Sequence, residues 1–449
     1  MTQKMNSLPS LGSIFAVLLL AASCTNPPTD WSQETEITKW PDGKNGAISI
    51  TYDDGIINQL TIAKPIMDSL NLPATFFIIT GKVEGSGKGK FIGRDPKAII
   101  AETATIKTDS TNFFERASLI AFTGTTEAEE YHANVGSLFE AGKVAEAYQL
   151  LDEGYEKIRN GRTRDTNDVV FHNNPVDTTT WEQYKSYEKQ GHEISSHTVT
   201  HPKLAVLDEA NMRYELEQSK ADLAKFMGKD ATFSAEGPYG TENERVMEYA
   251  HKIYPALRNR MPEDWLEEIN RGSKVQPGKT QKEYVQWQRG ALSTTGIDQM
   301  KAWTDTVNAH DNIWLVLVIH GVEDYGWEPL KTEELKQYFG DIKENEDAVW
   351  VATFGDVTKY LRERKATTIS SELDENEIRI TLSSDLDASV YDIPLTLKTY
   401  LPEGWNGVSL VQEGGNRKLE VMSDSKGSYV SYSIPSAETK VQLARVEGN

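Results

Sequence analysis

Short apolar runs alternate with segments of helical spacing from about residue 46 to residue 365. The apolar runs are typical of strands in a parallel sheet. They occupy residues 48–50, 74–79, 169–171, 191–194, 232–233, 254–257, 313–319 and 349–353. The helical segments occupy residues 57–70, 181–189, 208–227, 241–252, 332–345 and 355–364. Residues 258–312 are less regular. Six to eight such units predict an α/β fold with a parallel sheet, open or closed into a barrel.

Two further regions depart from this alternation. From about residue 85 to residue 175 the pattern is mainly helical and polar, which predicts a helical insertion carried outside the sheet; both a ligand-binding role and a plain helical cap fit it. Beyond residue 365 short strands with turns between them replace the helical spacing. Residues 370–449 are therefore expected to form a separate antiparallel β-sandwich domain.

The amino terminus has the pattern of an export signal. A lysine precedes the apolar run at residues 14–20, small residues follow, and the only cysteine of the chain is Cys24. This arrangement resembles the lipoprotein signals of bacteria. We expect residues 1–23 to be a signal peptide, Cys24 to carry lipid, and residues 24–45 to be a tether. The protein would then be exported and held to a bacterial membrane only through its lipid anchor.

Charge and composition narrow the function only slightly. The net charge of −21 argues against a nucleic-acid partner, because no basic patch is available to neutralise phosphates. It fits neutral or cationic substrates. The hydrophobic content of 38% is enough for ordinary cores. With one cysteine, no disulfide forms within the chain, and nothing in the sequence indicates the oligomeric state.

The candidate chemistry lies at the predicted carboxyl ends of strands. Asp53 and Asp54 end the first strand, where one carboxylate can ligate a cation while its neighbour stays free as a base. His197 and His201 follow a later strand and have the spacing to face one ion, and His320 ends the strand at residues 313–319. Two histidines and one carboxylate leave an open position on Zn²⁺ or a similar divalent ion, as hydrolytic sites require.

In these motifs the chain resembles the polysaccharide deacetylases, also called NodB-homology or carbohydrate esterase family 4 domains. The resemblance covers about residues 46–365. Residues 51–55 match the first family motif, residues 197–201 the second, and residues 318–320 the fifth, in the family's order. The family fold is a distorted (β/α) barrel, which agrees with the alternation.

The resemblance implies a role for each matching residue. Asp53 would be the base and His320 the acid. Asp54, His197 and His201 would hold one divalent metal ion, zinc with cobalt or nickel as alternatives. The main-chain N–H of Tyr239 would help to hold the oxyanion, and Val318 would line the pocket for the acetyl methyl group. The implied partner is an acetylated glycan.

One position departs from the family pattern. Glu236 stands where members usually carry an arginine that pairs with the catalytic aspartate. Either Arg258, Arg260 or Arg289 reaches in from another strand, or Glu236 points elsewhere. The fourth motif is only weakly visible, at residues 263–265.

Two functions are consistent with the sequence. The first is a metal-dependent hydrolase that removes N-acetyl or O-acetyl groups from a polysaccharide or oligosaccharide. The alternative is a weakly active or inactive carbohydrate-binding protein on the same NodB fold. Trp265, Trp303 and Trp327 are candidates for stacking on sugars, although an aromatic residue in a barrel more often belongs to the core.

Overall fold

The computed structural model describes residues 29–123, 126–161, 179–241, 243–412, 415–435 and 440–446. The predicted signal peptide, Cys24 and the predicted strand at residues 169–171 lie outside these ranges. Among the helices described, none has the length and apolar character needed to cross a membrane.

The predicted α/β sheet is confirmed as a curled parallel sheet of nine strands. Its strands are β3 (Gly46–Asp54), β4 (Thr75–Ile78), β5 (Glu193–Ser196), β6 (Ser234–Ala235), β7 (Ala256–Leu257), β8 (Leu266–Ile269), β9 (Tyr284–Gly290), β10 (Ile313–Ile319) and β11 (Val349–Val351). They run in the order β7-β6-β5-β4-β3-β10-β9-β8, and β11 pairs with the first residues of β3. No pairing between β7 and β8 closes the barrel within the described residues. The sheet is the distorted (β/α) barrel that the resemblance implies, left open on one side.

Within the described residues, eleven α-helices accompany the strands. They are α1 (Lys64–Leu70), α2 (Pro96–Glu102), α3 (Phe113–Ala121), α4 (Thr126–Glu140), α5 (Val144–Arg159), α6 (Trp181–Glu188), α7 (Glu209–Phe226), α8 (Glu244–Ile253), α9 (Ile297–Asn308), α10 (Thr332–Glu344) and α11 (Phe354–Ala366). Helices α2 to α5 lie between β4 and α6, in the segment where the sequence predicts the insertion. They have a small apolar core of their own around Phe113, Leu151 and Tyr155.

Two details of the predicted sheet are wrong. The apparent strand at residues 232–233 overlaps a helical turn, Asp230–Thr232, and β6 begins only at Ser234. The less regular stretch contains β8, β9 and α9. Strand β9 escapes the pattern because Gln286 and Gln288 are buried on the face opposite Val285 and Trp287. Its inner face is thus polar and its outer face apolar, and both are buried, so no hydrophobic run marks the strand.

The carboxy-terminal strands form two antiparallel sheets, as predicted. The strands are β12 (Thr368–Asp374), β13 (Glu377–Ser383), β14 (Leu395–Tyr400), β15 (Val408–Gln412), β16 (Gly415–Leu419), β17 (Met422–Ser423), β18 (Ser428–Ile434) and β19 (Lys440–Arg445). One sheet contains β12, β13, β19, β15 and β16, and the other contains β17, β18 and β14. Side chains alternate between buried and exposed along β13, as a sandwich requires.

The expected tether is wrong from residue 29 onward. Strand β1 (Thr29–Asp30) pairs with β12, and β2 (Thr35–Ile37) pairs with β14. Trp40 is fully buried and meets Tyr284 edge to face, with ring centroids 5.1 Å apart. These strands are too short to show a pattern in the sequence, and they are stable because they complete the edges of the sandwich sheets.

The sandwich is not separate from the barrel, because the two share one apolar core. Trp314 and Phe354 of the barrel belong to the same buried cluster as Leu397 and Val430 of the sandwich. The expected boundary between two independent cores is therefore absent from the described residues. The barrel is closed at its amino end by the sandwich, and its carboxyl end remains accessible.

Candidate metal and catalytic site

The carboxyl ends of five parallel strands supply the charged groups of the site. Asp53 and Asp54 close β3. The residues that directly follow β5, β6, β7 and β10 are His197, Glu236, Arg258 and His320. The strand ends are aligned, since Ile78 pairs with Ser196, Ser196 with Ala235, and Ala235 with Leu257. Groups far apart in the sequence therefore meet at one edge of the sheet.

Three possible metal ligands converge on one point, and they are Asp54, His197 and His201. Asp54 Oδ1 lies 3.6 Å from His197 Nε2 and 3.4 Å from His201 Nε2. One donor atom from each residue lies within 4.8 Å of the others. Ligands about 2.1 Å from a tetrahedral Zn²⁺ are roughly 3.4 Å apart, so the observed separations match those of ligands around one small ion.

Glu236 holds the other side of His197. The Nδ1 atom of His197 lies 2.6 Å from Glu236 Oε2 and 3.1 Å from the Glu236 carbonyl oxygen. Burial disfavours a charged imidazole, but Glu236, Asp53 and Asp54 raise the pKa of His197 to about 9. A carboxylate behind a ligating histidine fixes its orientation and increases its basicity. The Glu236 side chain is thus directed at His197, where it cannot take the place of the family arginine.

The loop that carries the second histidine is held in a strained conformation. Thr198 and His201 have φ values of 66° and 64°, and Asp54 has 75°. Glu215 of α7, which is fully buried, accepts hydrogen bonds from the N–H groups of Val199 (2.9 Å) and Thr200 (2.8 Å). Positive φ at such residues costs about 1–3 kcal/mol each and is found mainly at functional sites. Glu215 is therefore a positioning residue for His201.

Arg258 is the arginine that pairs with Asp53. Its Nη1 and Nη2 atoms donate to the two oxygens of Asp53 at 2.6 and 2.7 Å, and both side chains are about 97% buried. Burial opposes the charge of Asp53, but Arg258 and then His320 hold its pKa well below the usual range. The other two candidates lie elsewhere: Arg260 pairs with Glu244, and Arg289 donates to the Gln288 and Val275 carbonyls.

His320 completes the charged group. Its Nε2 atom lies 3.3 Å from Asp53 Oδ2, and its ring meets the Trp327 ring edge to face at 4.8 Å. Burial lowers its pKa, although Asp53 opposes this. Gln59, fully buried, donates from Nε2 to the main-chain oxygens of both Asp53 (2.5 Å) and His320 (2.7 Å). Gln59 therefore fastens the ends of β3 and β10 together.

A cavity of about 630 Å³ opens above these groups. Every catalytic, metal-binding and substrate-binding residue expected from the sequence lines it: Asp53, Asp54, His197, His201, Tyr239, Val318 and His320. Tyr239 has a φ of 63°, and its half-exposed ring lies 4.7 Å from the ring of His201. Of the three tryptophan candidates only Trp327 reaches the cavity. Trp303 is buried and Trp265 packs on the shared core.

The weak fourth motif does not reach the site. Glu263 Oε1 pairs with Arg362 Nε at 2.6 Å. The Nδ1 atom of His320 has no hydrogen-bond partner within the described part of the chain. Residues 263–265 thus do not supply a partner to His320.

The helical insertion contacts the site directly. His132 of α4 is buried; its Nε2 atom accepts a hydrogen bond from the Lys203 N–H at 2.8 Å, and its Nδ1 atom lies 2.9 Å from the Ala117 carbonyl oxygen. Ser137 of the same helix lines the cavity, and Glu140 forms an ion pair with Lys203. The insertion contributes Ser137 to the lining of the cavity and supports the segment that follows His201.

Several of these contacts are not visible in the sequence. Arg258 could be found only as one of three alternatives. Gln59, Glu215 and His132 carry no motif, because each acts through a main-chain group that any residue could provide. Their common signal is a polar or charged residue at a buried position of a helix, which is recognisable only when the fold is known.

One protein family matches part of this chain. Residues 155–254 match the family described as polysaccharide deacetylase, and the match supports such a domain in this chain. A gellan lyase from Bacillus sp. is 28% identical over 276 residues, which is 56% of this chain. The chain spans only 11% of that relative's length.

Solved structures of low similarity include three carbohydrate-active deacetylases and esterases. A family 4 carbohydrate esterase from Bacillus anthracis is 13% identical, with a TM-score of 0.32 over 75% of this chain and 98% of that one. A peptidoglycan deacetylase from Bacillus subtilis is 12% identical, with a TM-score of 0.31 over 73% and 95%. A family 4 carbohydrate esterase from Streptomyces lividans, solved with acetate, is 11% identical, with a TM-score of 0.31 over 68% and 92%.

Proposed function

We propose that this protein is a metal-dependent hydrolase that removes acetyl groups from a polysaccharide or oligosaccharide. The observation that carries the proposal is the convergence of Asp54, His197 and His201 on one point, with the paired carboxylate of Asp53 beside it. The match of residues 155–254 to the polysaccharide deacetylase family supports the choice of reaction.

The charges of the site fit a divalent cation. Asp53, Asp54 and Glu236 bring three carboxylates together, and the guanidinium of Arg258 contacts two of them, Asp53 and Glu236. A ligating imidazole must be neutral: burial lowers the pKa of His201, and a bound ion would displace the proton that the surrounding carboxylates favour on His197. A mixed set of two nitrogens and one oxygen suits zinc, with cobalt or nickel as alternatives.

The chain's own residues then divide the work. When bound, the ion would polarise the acetyl carbonyl and lower the pKa of a water molecule. Asp53, kept ionised by Arg258, would be the group that accepts a proton from the attacking water. His320 donates a proton to the departing amine or alcohol oxygen. The main-chain N–H of Tyr239 stabilises the negative charge that develops on the acetyl oxygen, and Val318 borders the methyl group.

The alternative of an inactive carbohydrate-binding protein depended on a lost arginine. Arg258 supplies a bidentate guanidinium to Asp53 from another strand, which favours the hydrolase over that alternative. A buried aspartate that an arginine keeps ionised has no evident use in a protein that binds a carbohydrate without reacting with it.

The test is acetate release by purified protein from N-acetylated and O-acetylated oligosaccharides, after removal of metal and after reloading with Zn²⁺, Co²⁺ or Ni²⁺. We expect activity only after reloading. Elemental analysis should find one ion per chain in the wild type and none in Asp54→Ala. Metal-loaded protein that binds one ion but releases no acetate from any acetylated glycan would contradict the proposed reaction.

We also propose that Cys24 is lipidated and anchors the protein to a bacterial membrane after export. The small residues before Cys24 and its position after the apolar run support this. The test is fractionation of expressing cells. The wild type is expected in the membrane fraction with incorporated palmitate, and Cys24→Ala in the soluble fraction without label. An unlabelled wild type would contradict the anchor.

A further inference from the structure

A second cavity lies directly beside the catalytic one. It has a volume of about 370 Å³ and lies between the end of β9, helix α9 and the segment that follows β8. Arg271 lines both cavities. A glycan bound with its acetylated sugar at the catalytic groups therefore has a path along Arg271 into the second cavity.

Two arginines dominate this second cavity. The Arg271 guanidinium lies over the Trp327 ring at 5.2 Å, and the Arg289 guanidinium lies over the Trp287 ring at 4.6 Å. The stem of Arg271 crosses Gly290, where an added Cβ would come within 3.0 Å of it. Both side chains line the second cavity, and each is backed by an aromatic face.

Neither guanidinium is neutralised within the described part of the chain. Arg289 is only 8% exposed, and its hydrogen bonds go to two neutral carbonyl oxygens, those of Gln288 and Val275. No aspartate or glutamate lines the cavity among the described residues. This is unusual in a chain with 68 acidic and 47 basic residues. A buried charge without a partner is costly, so a fold that retains one has a use for an anion at that place.

We propose that this second cavity is a subsite for a sugar that bears a carboxylate, and that the substrate is an acidic glycan. The inference rests on the proposed function and names its substrate class. The planar fork of arginine pairs with a carboxylate through two hydrogen bonds, and an aromatic ring behind it limits its movement. The net charge of the protein favours neutral or cationic substrates, but locally the two arginines reverse that preference.

The test compares two acetylated oligosaccharides that differ only in one group, a uronic acid and its carboxyl-reduced counterpart. For the metal-loaded wild type we expect kcat/KM to be about tenfold or more higher for the acidic one, mainly through KM. The preference should decrease as salt is added. In R271Q/R289Q the ratio should fall to about one. Equal kcat/KM values for the two substrates in the wild type would overturn the proposal.

A control variant separates the loss of Arg271 from the loss of any positive charge. Arg417, exposed on β16 of the sandwich, offers a matched loss of one positive charge, and R417Q should keep the preference. Since Arg289 is buried, R271Q alone is the second variant if the double variant does not fold. It should reduce the ratio.

Binding of a non-acetylated acidic oligosaccharide, measured by calorimetry, does not depend on turnover. Binding that exceeds that of the reduced form and is lost in R271Q supports the subsite even if no acetate is released. Equal binding of both forms overturns the subsite while leaving the proposed reaction in place.

Discussion

The two ends of strand β3 differ sharply, although they belong to one face of one strand. Ala47, near its amino end, lies in the apolar core that the barrel shares with the sandwich. Two residues on, Ser49 accepts a hydrogen bond from Trp314 Nε1 at 3.0 Å. Thr51 accepts one from Arg258, and Asp53, at the carboxyl end, is bound by the same arginine. Alternation places all four side chains on one side of the sheet.

Along this face the surroundings change from apolar to charged. The change takes place between Ala47 and Asp53, over about 20 Å at roughly 3.3 Å per residue, so the part that stabilises the fold is separate from the part that carries the chemistry. At the amino end, apolar burial by the sandwich is the main stabilising contribution. At the carboxyl end, backbone strain and the crowding of three carboxylates are destabilising, and they are tolerated because the other end is well packed. Substitutions at the carboxyl end should therefore affect activity first, and substitutions at the amino end should affect the free energy of unfolding first.

The largest effect is expected at Asp53. Replacing it by Asn removes the proposed base while keeping the shape, so acetate release should fall by about 10²- to 10⁴-fold. Since Asp53 is not among the three proposed metal ligands, the variant should still bind one ion per chain, as measured by elemental analysis. Retention of more than a tenth of the wild-type kcat would show that another group accepts the proton.

Arg258 should affect both activity and stability, because it is a buried cation at the carboxyl end of the strands. Arg258→Met leaves Asp53 and Glu236 buried without their partner and should lower the free energy of unfolding by about 3–5 kcal/mol, measured by urea denaturation. It should also raise the pKa of Asp53 and move the acidic limb of the pH–rate profile upward. Arg258→Lys keeps the charge but loses the bidentate geometry, and it should recover part of the stability. A stable Met variant with an unchanged pH profile would contradict this role.

At the opposite end, Leu397 of β14 tests the shared core. It is fully buried in the cluster that includes Trp314. Leu397→Ala should cost about 2–5 kcal/mol of unfolding free energy and leave kcat unchanged. Because the core is shared, barrel and sandwich should unfold in one transition, which moves as a whole in the variant. Ile106→Ala, at a position 49% exposed, is the control and should change stability by less than about 0.5 kcal/mol. Two separate transitions in the wild type would contradict a common core.

The same contrast explains which parts of the structure were predictable. The paired aspartates and the two histidines are adjacent or four residues apart, so their chemistry is visible locally. The strands at residues 74–79 and 313–319 are apolar on both faces and were found for that reason. Strand β9 carries glutamines toward the interior, and β1 and β2 are too short for any pattern. Arg258 and Arg271 matter through neighbours that only the fold brings to them.

The smallest of these effects is expected at His132, which joins the insertion to the site. Burial lowers its pKa to about 4 from an ordinary value of 6.5. Between these values the unfolded chain binds a proton that the folded chain does not. Stability is therefore complete above pH 6.5 and is lost as the pH falls toward 4, by up to about 3 kcal/mol at the acidic limit. His132→Gln keeps an acceptor for the Lys203 N–H but cannot be charged. Its unfolding free energy, measured by urea denaturation from pH 7 to pH 4.5, should therefore decrease less than that of the wild type. Parallel curves for the two proteins would mean that His132 is protonated in the folded state, and that the insertion is not fixed to Lys203 through a neutral imidazole.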